Sequence, residues 1–380
     1  MIYLDYSATT PVDKSALDSF NNVSENYIGN PNSLHKLGLE SHKLLSASTN
    51  QVADLLKVKS SEVIFTSGAS ESNNLAIFGV INEYKNRGKH IITTKLEHSS
   101  VLEPMKYLEK NGYKIDYVNI DSDGKIDLNH LKSLLNDETI LVSICEVNSE
   151  IGLIQDVNEI GKIINNYPKC IFHVDGTQAI GKKLINLDNI DLYSFSAHKF
   201  YGLKGVGCLI KKDDIKLSPI IHGGKSQTIY RSGTPTLALD VSLAKALRIT
   251  FDNFNERYSK VLELNKYLKD ELNKINSIKI NSNDRCVPHI INLSIPGVKP
   301  ETMLHALEQD DIYISTKTAC SDKEDESLSV LEFTKDHTLA SSSIRISLSY
   351  LTTKNDIDTF INSFKKNVNN LKGLDSNGLR

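Results

Sequence analysis

Several features that would identify common classes of protein are missing from the sequence. The five cysteines are far apart and contain no Cys-x-x-Cys pair, which argues against a zinc site and against a disulfide framework. No uninterrupted apolar run approaches the length of a membrane span. The start, MIYLDYSATTP, has neither the basic nor the apolar region of a signal peptide. We therefore expect a cytoplasmic protein without a membrane partner.

An excess of charge of one sign is also missing. The sequence has 44 Lys and Arg against 47 Asp and Glu, a formal net charge of -3, and the basic residues are scattered. No basic field for direct nucleic-acid binding follows from this composition. The 380 residues suggest two domains at about 150 residues each. An enzyme or a small-molecule-binding protein is the expected class.

Short β-branched runs recur between residues 62 and 211, and helical segments separate most of them. The runs are EVIFTSG, HIITT, KIDYVNI, TILVSICEV, CIFHVDG, LYSFSA and VGCLI. Strands that alternate with helices predict an α/β fold, with a mostly parallel sheet covered on both faces. Such a sheet binds its ligand at the carboxyl ends of the strands.

The pattern changes after a long amphipathic stretch at residues 237–275, which predicts a helix with one break. IKINS, HIINLSI, IYIST and SIRISLS then predict strands, with helices at 301–308 and 355–371. These segments predict a smaller α+β domain. We expect a large domain over residues 14–255, and a small domain built from residues 1–13 and 256–380.

Two predicted strands end in residues that could bind a phosphorylated ring. In TSGASESNN, backbone N–H groups and Ser70 could hold a phosphate at a helix N-terminus. An ordinary serine N-cap explains this stretch alone more simply. In IFHVDGTQ, Asp175 directly follows an apolar strand, where a carboxylate needs a partner. That partner could be a protonated ring nitrogen or a structural cation.

A lysine follows a third predicted strand, in DLYSFSAHKFYGLKG. Burial of Lys199 is explained if its amine forms an imine with an aldehyde cofactor, with Ser196 and His198 as phosphate donors beside it. A surface lysine is the alternative. His98 in KLEHSS could lie on the cofactor ring and move protons. An anion cradle, a strand-end aspartate, a lysine and a histidine are together what pyridoxal 5'-phosphate requires.

The order of the motifs resembles a known family along nearly the whole chain. YLDYSATTP, GNPNS, FTSGASESNN, EHSSVLEP, VNSEIG, HVDGTQ, SAHKFYGLKG, RSGTP and SSIRISL resemble the cysteine desulfurases, pyridoxal-phosphate enzymes of aminotransferase class V. The resemblance implies the fold of fold-type I pyridoxal-phosphate-dependent transferases. This is a large domain with a mostly parallel seven-stranded sheet plus a small α+β domain. It also implies a homodimer.

The resemblance further assigns roles to individual residues. Around the cofactor ring it implies an imine at Lys199, stacking by His98, a pyridinium contact by Asp175 and a ring-oxygen contact by Gln178. Phosphate contacts are implied for Ala69, Ser70, Ser196 and His198, and for Thr234 of a second subunit. Asn148 would contact cofactor and substrate, and Arg345 the substrate carboxylate. Arg345 also suits a carboxylate by its forked shape, although a solvated edge-strand cation is the alternative.

One cysteine differs from the other four in its surroundings. Cys320 in IYISTKTACSDKEDESLSVLEF follows an apolar strand and precedes a polar, acidic stretch, which predicts an exposed loop. A free cysteine is most often an inert small hydrophobe, but an exposed one can be a nucleophile. By resemblance, Cys320 takes sulfur from L-cysteine as a persulfide, which leaves L-alanine. The persulfide sulfur would pass to an acceptor such as an iron–sulfur scaffold or a tRNA thiolation enzyme.

Other functions remain open at this point. A class V aminotransferase or a selenocysteine lyase would keep the cofactor and change the chemistry. A non-catalytic pyridoxal-phosphate-binding scaffold for sulfur-handling partners would keep the fold and the cofactor without the reaction. No metal site is predicted, apart from a transient iron–sulfur ligand role for Cys320. The sequence departs from the usual family pattern at Glu146, Gly176 and Ala197, and none of these changes removes a chemical group from the mechanism.

Overall fold

A computed structural model describes residues 1–316 and 326–376, with side chains up to residue 373. The strands of this part are β1 (Ile2–Tyr3), β2 (Val63–Thr66), β3 (His90–Thr93), β4 (Lys114–Tyr117), β5 (Thr139–Cys145), β6 (Ile171–Asp175), β7 (Leu192–Ser196), β8 (Gly207–Lys211), β9 (Lys279–Ile280), β10 (Ile290–Ser294), β11 (Ile312–Tyr313) and β12 (Ser343–Ser347).

The helices surround these strands. They are α1 (Lys14–Asn26), α2 (Lys36–Leu56), α3 (Ala69–Tyr84), α4 (Ser99–Lys110), α5 (Leu128–Leu134), α6 (Val157–Ile164), α7 (Leu237–Asp252), α8 (Phe254–Leu272), α9 (Pro300–Glu308), α10 (Leu328–Thr334), α11 (His337–Ala340) and α12 (Lys354–Ser376). Among the described residues, no helix combines the length and the apolar character needed to cross a membrane.

The central sheet has seven strands in the order β2-β8-β7-β6-β5-β3-β4. All neighbouring pairs are parallel except those that β8 makes with β2 and β7. Each of the seven β-branched runs contains one of these strands, so the predicted α/β class and the mostly parallel sheet are confirmed. Every strand except the edge strand β4 is buried on both faces, which explains why these six read as continuous apolar runs and not as alternating ones.

Helices cover both faces of this sheet and form two separate cores. One core joins the sheet to α1, α2, α5, α6 and α7, and the opposite core joins it to α3 and α4. The parallel strands therefore end at one edge, between the helical layers. The residues that follow β2, β6 and β7 are thus brought to a common place.

A second, smaller sheet has the order β12-β10-β9, with antiparallel pairs. Its core contains Leu4 from the N-terminal segment, together with residues of α8, α9 and α12. The predicted long helix at 237–275 is two helices, because Asn253 separates α7 from α8. The N-terminal segment packs with the C-terminal third of the chain, which supports the division at residues 13 and 255. That division stays a prediction.

Helix α7 joins α1 and α2 to the sheet, and its Leu247 is 0% exposed. We expect Leu247→Ala to lower the free energy of unfolding by about 2–5 kcal/mol, because it leaves a cavity in a packed core. Leu184→Ala is the matched control, since Leu184 is 73% exposed and its change should cost less than about 0.5 kcal/mol. Urea unfolding of both variants measures the difference. Equal losses would contradict the assignment of Leu247 to the core.

Candidate active site

A cavity of about 630 Å³ lies at the carboxyl ends of the parallel strands. Its volume suits a small-molecule cofactor together with a substrate. Nine of the residues predicted from the sequence line it: Ala69, Ser70, His98, Asp175, Gln178, Ser196, His198, Lys199 and Arg345. These residues therefore lie together, as the strand-end rule predicts.

Lys199 stands at the end of a short 3-10 turn that directly follows β7. Its Nζ donates hydrogen bonds to the carbonyl oxygens of Ser7 (2.6 Å) and Ala8 (2.8 Å). The N-terminal segment thus holds the amine at the cavity wall. The half-buried position and these two bonds rule out an ordinary surface lysine.

Asp175 ends β6, one strand away from Lys199. Its Oδ2 accepts a hydrogen bond from Asn73 Nδ2 (2.8 Å), and its Oδ1 accepts one from the Thr177 N–H (2.9 Å). The same Asn73 amide donates to Ser100 Oγ at 2.9 Å. Both donors to the carboxylate are neutral, so the buried charge can still attract a protonated ring nitrogen.

His98 is connected to this network through Ser100. The Ser100 N–H donates to His98 Nδ1 at 3.1 Å, and Ser100 Oγ lies 2.9 Å from the same nitrogen. Burial lowers the pKa of His98, which favours the neutral ring. Because Nδ1 accepts a backbone hydrogen bond, the ring proton is on Nε2. The Nε2–H is then the group that can serve as a proton donor.

The phosphate-binding end of the cavity is built where β2 meets α3. Gly68 is the N-cap of α3 with φ 156°, so Ser70 lies in the first turn and the serine N-cap explanation is wrong. The first N–H groups of a helix have no partner within it and suit an anion. A Cβ at Gly207 would lie 2.6 Å from Gly68 Cα. Only a glycine at 207 therefore permits this close approach of β8 to the N-cap of α3.

His198 and Ser196 complete this end of the cavity. His198 Nδ1 lies 3.2 Å from Thr9 Oγ1. Burial, and to a smaller extent the charge of Lys199, lowers the pKa of His198 to about 4. His198 is therefore a neutral hydrogen-bonding group at neutral pH. Lys204 also lines the cavity and adds a positive charge that an anion would meet.

Gln178 connects the cavity to the N-terminal segment. Its Nε2 donates to the Ser7 carbonyl at 2.9 Å, and its Oε1 accepts from Lys182 Nζ at 2.9 Å. Because an ammonium group only donates and a carbonyl only accepts, these two bonds fix the orientation of the amide. The contact of Gln178 with a ring oxygen stays a prediction.

Arg345 is buried at 3% exposure although it stands in β12. Its Nη2 forms an ion pair with Asp5 Oδ1 (2.8 Å), and its Nη1 donates to the Ser149 carbonyl (3.0 Å). Its Nε is buried and has no partner in the described structure. The alternative of a solvated edge-strand cation is wrong. A buried guanidinium with a spare donor suits a carboxylate ligand.

Two predicted residues lie outside the cavity. Asn148 Nδ2 donates to the Leu96 carbonyl (2.8 Å) and to Ser329 Oγ (3.0 Å), and its Oδ1 accepts from the N–H groups of residues 150 and 151. Thr234 lines a separate groove beside α1. The contact of Thr234 with a cofactor of a second subunit stays a prediction.

Cys320, the predicted sulfur carrier, lies outside the described residues. The four cysteines within them, at 145, 170, 208 and 286, are free thiols. Cys145 lines the cavity, but burial raises its pKa, so it is a poor nucleophile. In the described part of the chain, no group of three His, Cys, Asp or Glu side chains could hold a metal ion.

The residues present fit pyridoxal 5'-phosphate. Thr177 Oγ1 and Asn73 Oδ1 are buried next to Asp175 without a hydrogen-bond partner, so a polar ligand would satisfy groups that the protein leaves open. Lys199 can reach an aldehyde, Asp175 a ring nitrogen and the α3 N-terminus a phosphate. These three contacts match the three functional parts of this cofactor.

Sequence reasoning gave no role to several residues that hold the site together. Asp5 pairs with Arg345, the carbonyl groups of Ser7 and Ala8 bind Lys199, and Asn73 joins Asp175 to Ser100. The motifs YLDYSATTP and SGASESNN contain these residues. Every residue has a backbone carbonyl group, however, so the residue type does not indicate which carbonyl binds Lys199. Residues 5 and 345 are far apart in the sequence, and only the fold brings them together.

Gly176 departs from the usual family alanine, and the structure explains the change. A Cβ at Gly176 would lie 1.9 Å from Tyr193 Cζ. The hydroxyl group of this buried tyrosine donates to Glu146 Oε2 at 2.6 Å, and Lys183 Nζ binds Glu146 Oε1. Glu146, a second departure, is thus held by two donors behind β6. Gly176 provides the space for Tyr193, which supplies one of these two donors.

We expect Gly176→Ala to lower the free energy of unfolding by about 1–3 kcal/mol, because the added methyl group overpacks against Tyr193. Gly224→Ala is the matched control, since no atom lies within 4 Å of a Cβ at that position. Tyr193→Leu should offset part of the loss. In a double-mutant cycle the combined cost should then be smaller than the sum of the single costs. Strict additivity, measured by urea unfolding, would contradict this explanation.

Glu97, next to His98, provides a prediction about pH. Its Oε1 accepts hydrogen bonds from Thr94 Oγ1 (2.7 Å) and the Cys145 N–H (2.9 Å), whereas its Oε2 is buried without a partner. Burial raises the pKa of Glu97 from 4.5 to about 8. The folded state therefore holds this proton more tightly than the unfolded state. Stability from this group is present below pH 4.5 and is lost as the pH rises towards about 8.

We therefore expect Glu97→Gln to gain stability relative to the wild type as the pH rises from 5 to about 8, because only the wild type loses the contribution of the Glu97 proton. Urea unfolding of both proteins across this range measures the two slopes. The comparison isolates Glu97, because the raised pKa values of Asp191 and Asp240 act equally in both proteins. Parallel slopes would show that Glu97 is ionised in the folded state.

Comparison with known proteins agrees with this site. The model of the aminotransferase class-V family matches residues 2–360. The cysteine desulfurase IscS of Buchnera aphidicola subsp. Baizongia pistaciae is 42% identical over 383 residues, which covers 98% of this chain and 94% of the relative. The resemblance predicted from the motifs is confirmed, as is the cofactor, which is the one used by this family.

Solved structures give the same result. A NifS-like protein is 34% identical with a TM-score of 0.91, covering 96% of this chain and 98% of that chain. A second structure, SspA in complex with cysteine, is 28% identical with a TM-score of 0.82, covering 93% and 100%. The relative from Buchnera aphidicola, which matches nearly the whole length of this chain, is named a cysteine desulfurase, and the chain belongs to the aminotransferase class-V family.

Proposed function

We propose that this protein is a pyridoxal-phosphate-dependent cysteine desulfurase that converts L-cysteine to L-alanine and carries the sulfur on Cys320. The observation that supports this most directly is the joint position of Lys199, Asp175 and Arg345 around one cavity. These residues provide an amine for the aldehyde, a carboxylate for the ring nitrogen and a guanidinium for an amino-acid carboxylate. An aminotransferase would use the same three groups, so the fate of the sulfur decides between the two reactions.

Arg345 is the residue that we expect to bind the substrate carboxylate. Its Nε has no partner, and its other two nitrogens are held by Asp5 and Ser149, so the guanidinium is already oriented. A charge-assisted bond to a carboxylate would satisfy the open donor. Asn148 is the weaker candidate, because its amide already makes hydrogen bonds within the protein.

Proton transfer is assigned to Lys199 and His98. When bound, pyridoxal 5'-phosphate supplies an electron sink for the negative charge that develops at the substrate Cα. Displaced from the Ser7 and Ala8 carbonyls, Lys199 Nζ can take the proton from Cα. His98, held in one tautomer by Ser100, can exchange a proton through Nε2. Asp175 favours the protonated ring nitrogen by its negative charge.

The sulfur step is assigned to Cys320. Its thiolate would attack the substrate Sγ, so that an S–S bond forms and the C–S bond breaks, with the electron pair left on carbon. A proton then completes the methyl group of alanine. Cys145 is the competing thiol because it lines the cavity. Its raised pKa and its hydrogen bond to the Leu96 carbonyl make it a poor nucleophile.

We extend the proposal to a cytoplasmic homodimer that passes the persulfide sulfur to an acceptor protein, such as an iron–sulfur scaffold or a tRNA thiolation enzyme. Large apolar side chains are exposed around α1 and α2, among them Ile28 at 79% and Leu34 at 91%. Ile28 also lines the groove that contains Thr234. A second subunit that covers this face would bring the two RSGTP segments close to the interface, where Thr234 could contact the partner's cofactor.

Single-turnover mass spectrometry tests the desulfurase assignment. We expect the purified holoprotein, given L-cysteine, to release one alanine per active site and to gain one sulfur atom on the peptide that contains Cys320. Cys320→Ser should abolish turnover by at least a factor of about 100, because covalent catalysis loses its nucleophile. The visible absorbance of the bound cofactor should not change in this variant.

Cys286→Ser is the matched control, because Cys286 is a free thiol that does not line the cavity and its loss should leave both readouts unchanged. Added sulfur on the peptide that contains Cys145 would show that Cys145, and not Cys320, carries the sulfur. Conversion of cysteine to a keto acid without any added sulfur would instead favour an aminotransferase.

A further inference from the structure

A second lysine is buried close to Lys199. Lys182 is 5% exposed, and its Nζ donates to Gln178 Oε1 at 2.9 Å. Gln178 Nε2 in turn donates to the Ser7 carbonyl, which also accepts the hydrogen bond from Lys199 Nζ. The two ammonium groups are therefore joined by a chain of one amide and one carbonyl group.

Both lysines also line a second, smaller cavity of about 20 Å³ on the side of Lys199 that faces α8. Arg257 and His289 line it as well. Arg257 Nη1 and His289 Nδ1 are buried without hydrogen-bond partners in the described structure. None of the described residues that line this cavity is acidic. The wall behind Lys199 is thus positively charged and lacks a neutralising carboxylate.

A buried ammonium group without a carboxylate is costly, so Lys182 is not explained as a stabilising residue. Its only ligand recorded in the described structure is the neutral Gln178 amide. Burial, followed by the charges of Lys199 and Arg345, lowers the pKa of Lys182 to about 7. The repulsion between the two cations acts on both, so the charge of Lys182 also disfavours a positive charge on Lys199.

The other charged groups around the two lysines are of both signs. Burial lowers the pKa of His198 to about 4 and that of His289 to about 3, so both rings are neutral. Asp5 is paired with Arg345. The remaining groups that face the lysines are Asp175, held by Asn73 and Thr177, the buried His98, and the cations Arg257 and Lys204.

We propose that Lys182 is a positioning residue that acts through Lys199: its positive charge disfavours protonation of the Lys199 nitrogen and so keeps that nitrogen reactive. A neighbouring cation is a known way to activate an amine nucleophile. Gln178, placed between the two nitrogens, keeps Lys182 within reach of Lys199. This role rests on the proposed attachment of the cofactor to Lys199 but does not depend on sulfur transfer.

A pH titration of the visible absorbance tests the proposal, because this absorbance changes when the Lys199 nitrogen that bears the cofactor gains a proton. In the holoprotein variant Lys182→Met, we expect the midpoint to rise by about one pH unit, the lower end of the effect of a nearby charge. Lys182→Gln retains a donor for Gln178 without the charge, and should show the same rise. Lys182→Arg should stay close to the wild-type midpoint.

Lys211→Met is the matched control. Lys211 is also buried, and its Nζ donates only to the carbonyls of Lys212 and Ile215, away from both cavities. This variant should lose stability without any change in the midpoint. A purely structural role of Lys182 would lower cofactor occupancy and leave the midpoint where it is.

The result separates this inference from the proposed function. An unchanged or lowered midpoint in both Lys182→Met and Lys182→Gln, or an equal rise in Lys211→Met, overturns the role of Lys182 alone. A wild-type protein that shows no visible band after loading with cofactor overturns cofactor attachment at Lys199, and with it both proposals, whereas a band that titrates in none of these proteins overturns the role of Lys182 alone. A titrating band without sulfur on Cys320 overturns only the desulfurase assignment.

Discussion

Parallel pairing of β5, β6 and β7 is the constraint on which the rest of the site depends. Cys145 pairs with Asp175, and Asp175 pairs with Ser194, two residues before the end of β7. This register fixes the separation between the carboxylate of β6 and the turn that contains Lys199. A slip by one residue would move Asp175 to the other face of the sheet, because side chains alternate along a strand. The ladder therefore determines the chemistry of the cavity, and the helices mainly keep the ladder buried.

The N-terminal segment is the second constraint. Residues 5 to 8 follow β1 in the smaller core, yet they supply the carbonyls that hold Lys199 and the carboxylate that holds Arg345. Leu4 is fully buried in that core. A few residues thus connect the smaller core to both ends of the cavity. Changes that loosen this core should therefore affect the site without any substitution in the cavity.

Much of this architecture could be predicted from the sequence, for physical reasons. Six of the seven strands of the main sheet are buried on both faces, and helices separate most of them, so each appears as a short β-branched run. The strand-end rule then placed Asp175 and Lys199 together. What the sequence could not predict involves contacts between distant segments, such as the amide of Asn148 bound to Leu96 and Ser329. The sequence predicted a break in the helix but not its position at Asn253, because the amphipathic pattern continues across this residue.

The distribution of charge explains why the departures from the family pattern are compatible with the chemistry. Lys199 and Arg345 line the main cavity and attract the phosphate and carboxylate groups of its proposed ligands. Glu146, by contrast, lies behind β6, where Tyr193 and Lys183 bind both of its oxygens. A negative charge so close to Asp175 would otherwise compete for the same protonated ring nitrogen. Tyr193 needs the space that an alanine at 176 would fill. Gly176 therefore makes room for Tyr193, and Tyr193 in turn provides a hydrogen bond for Glu146.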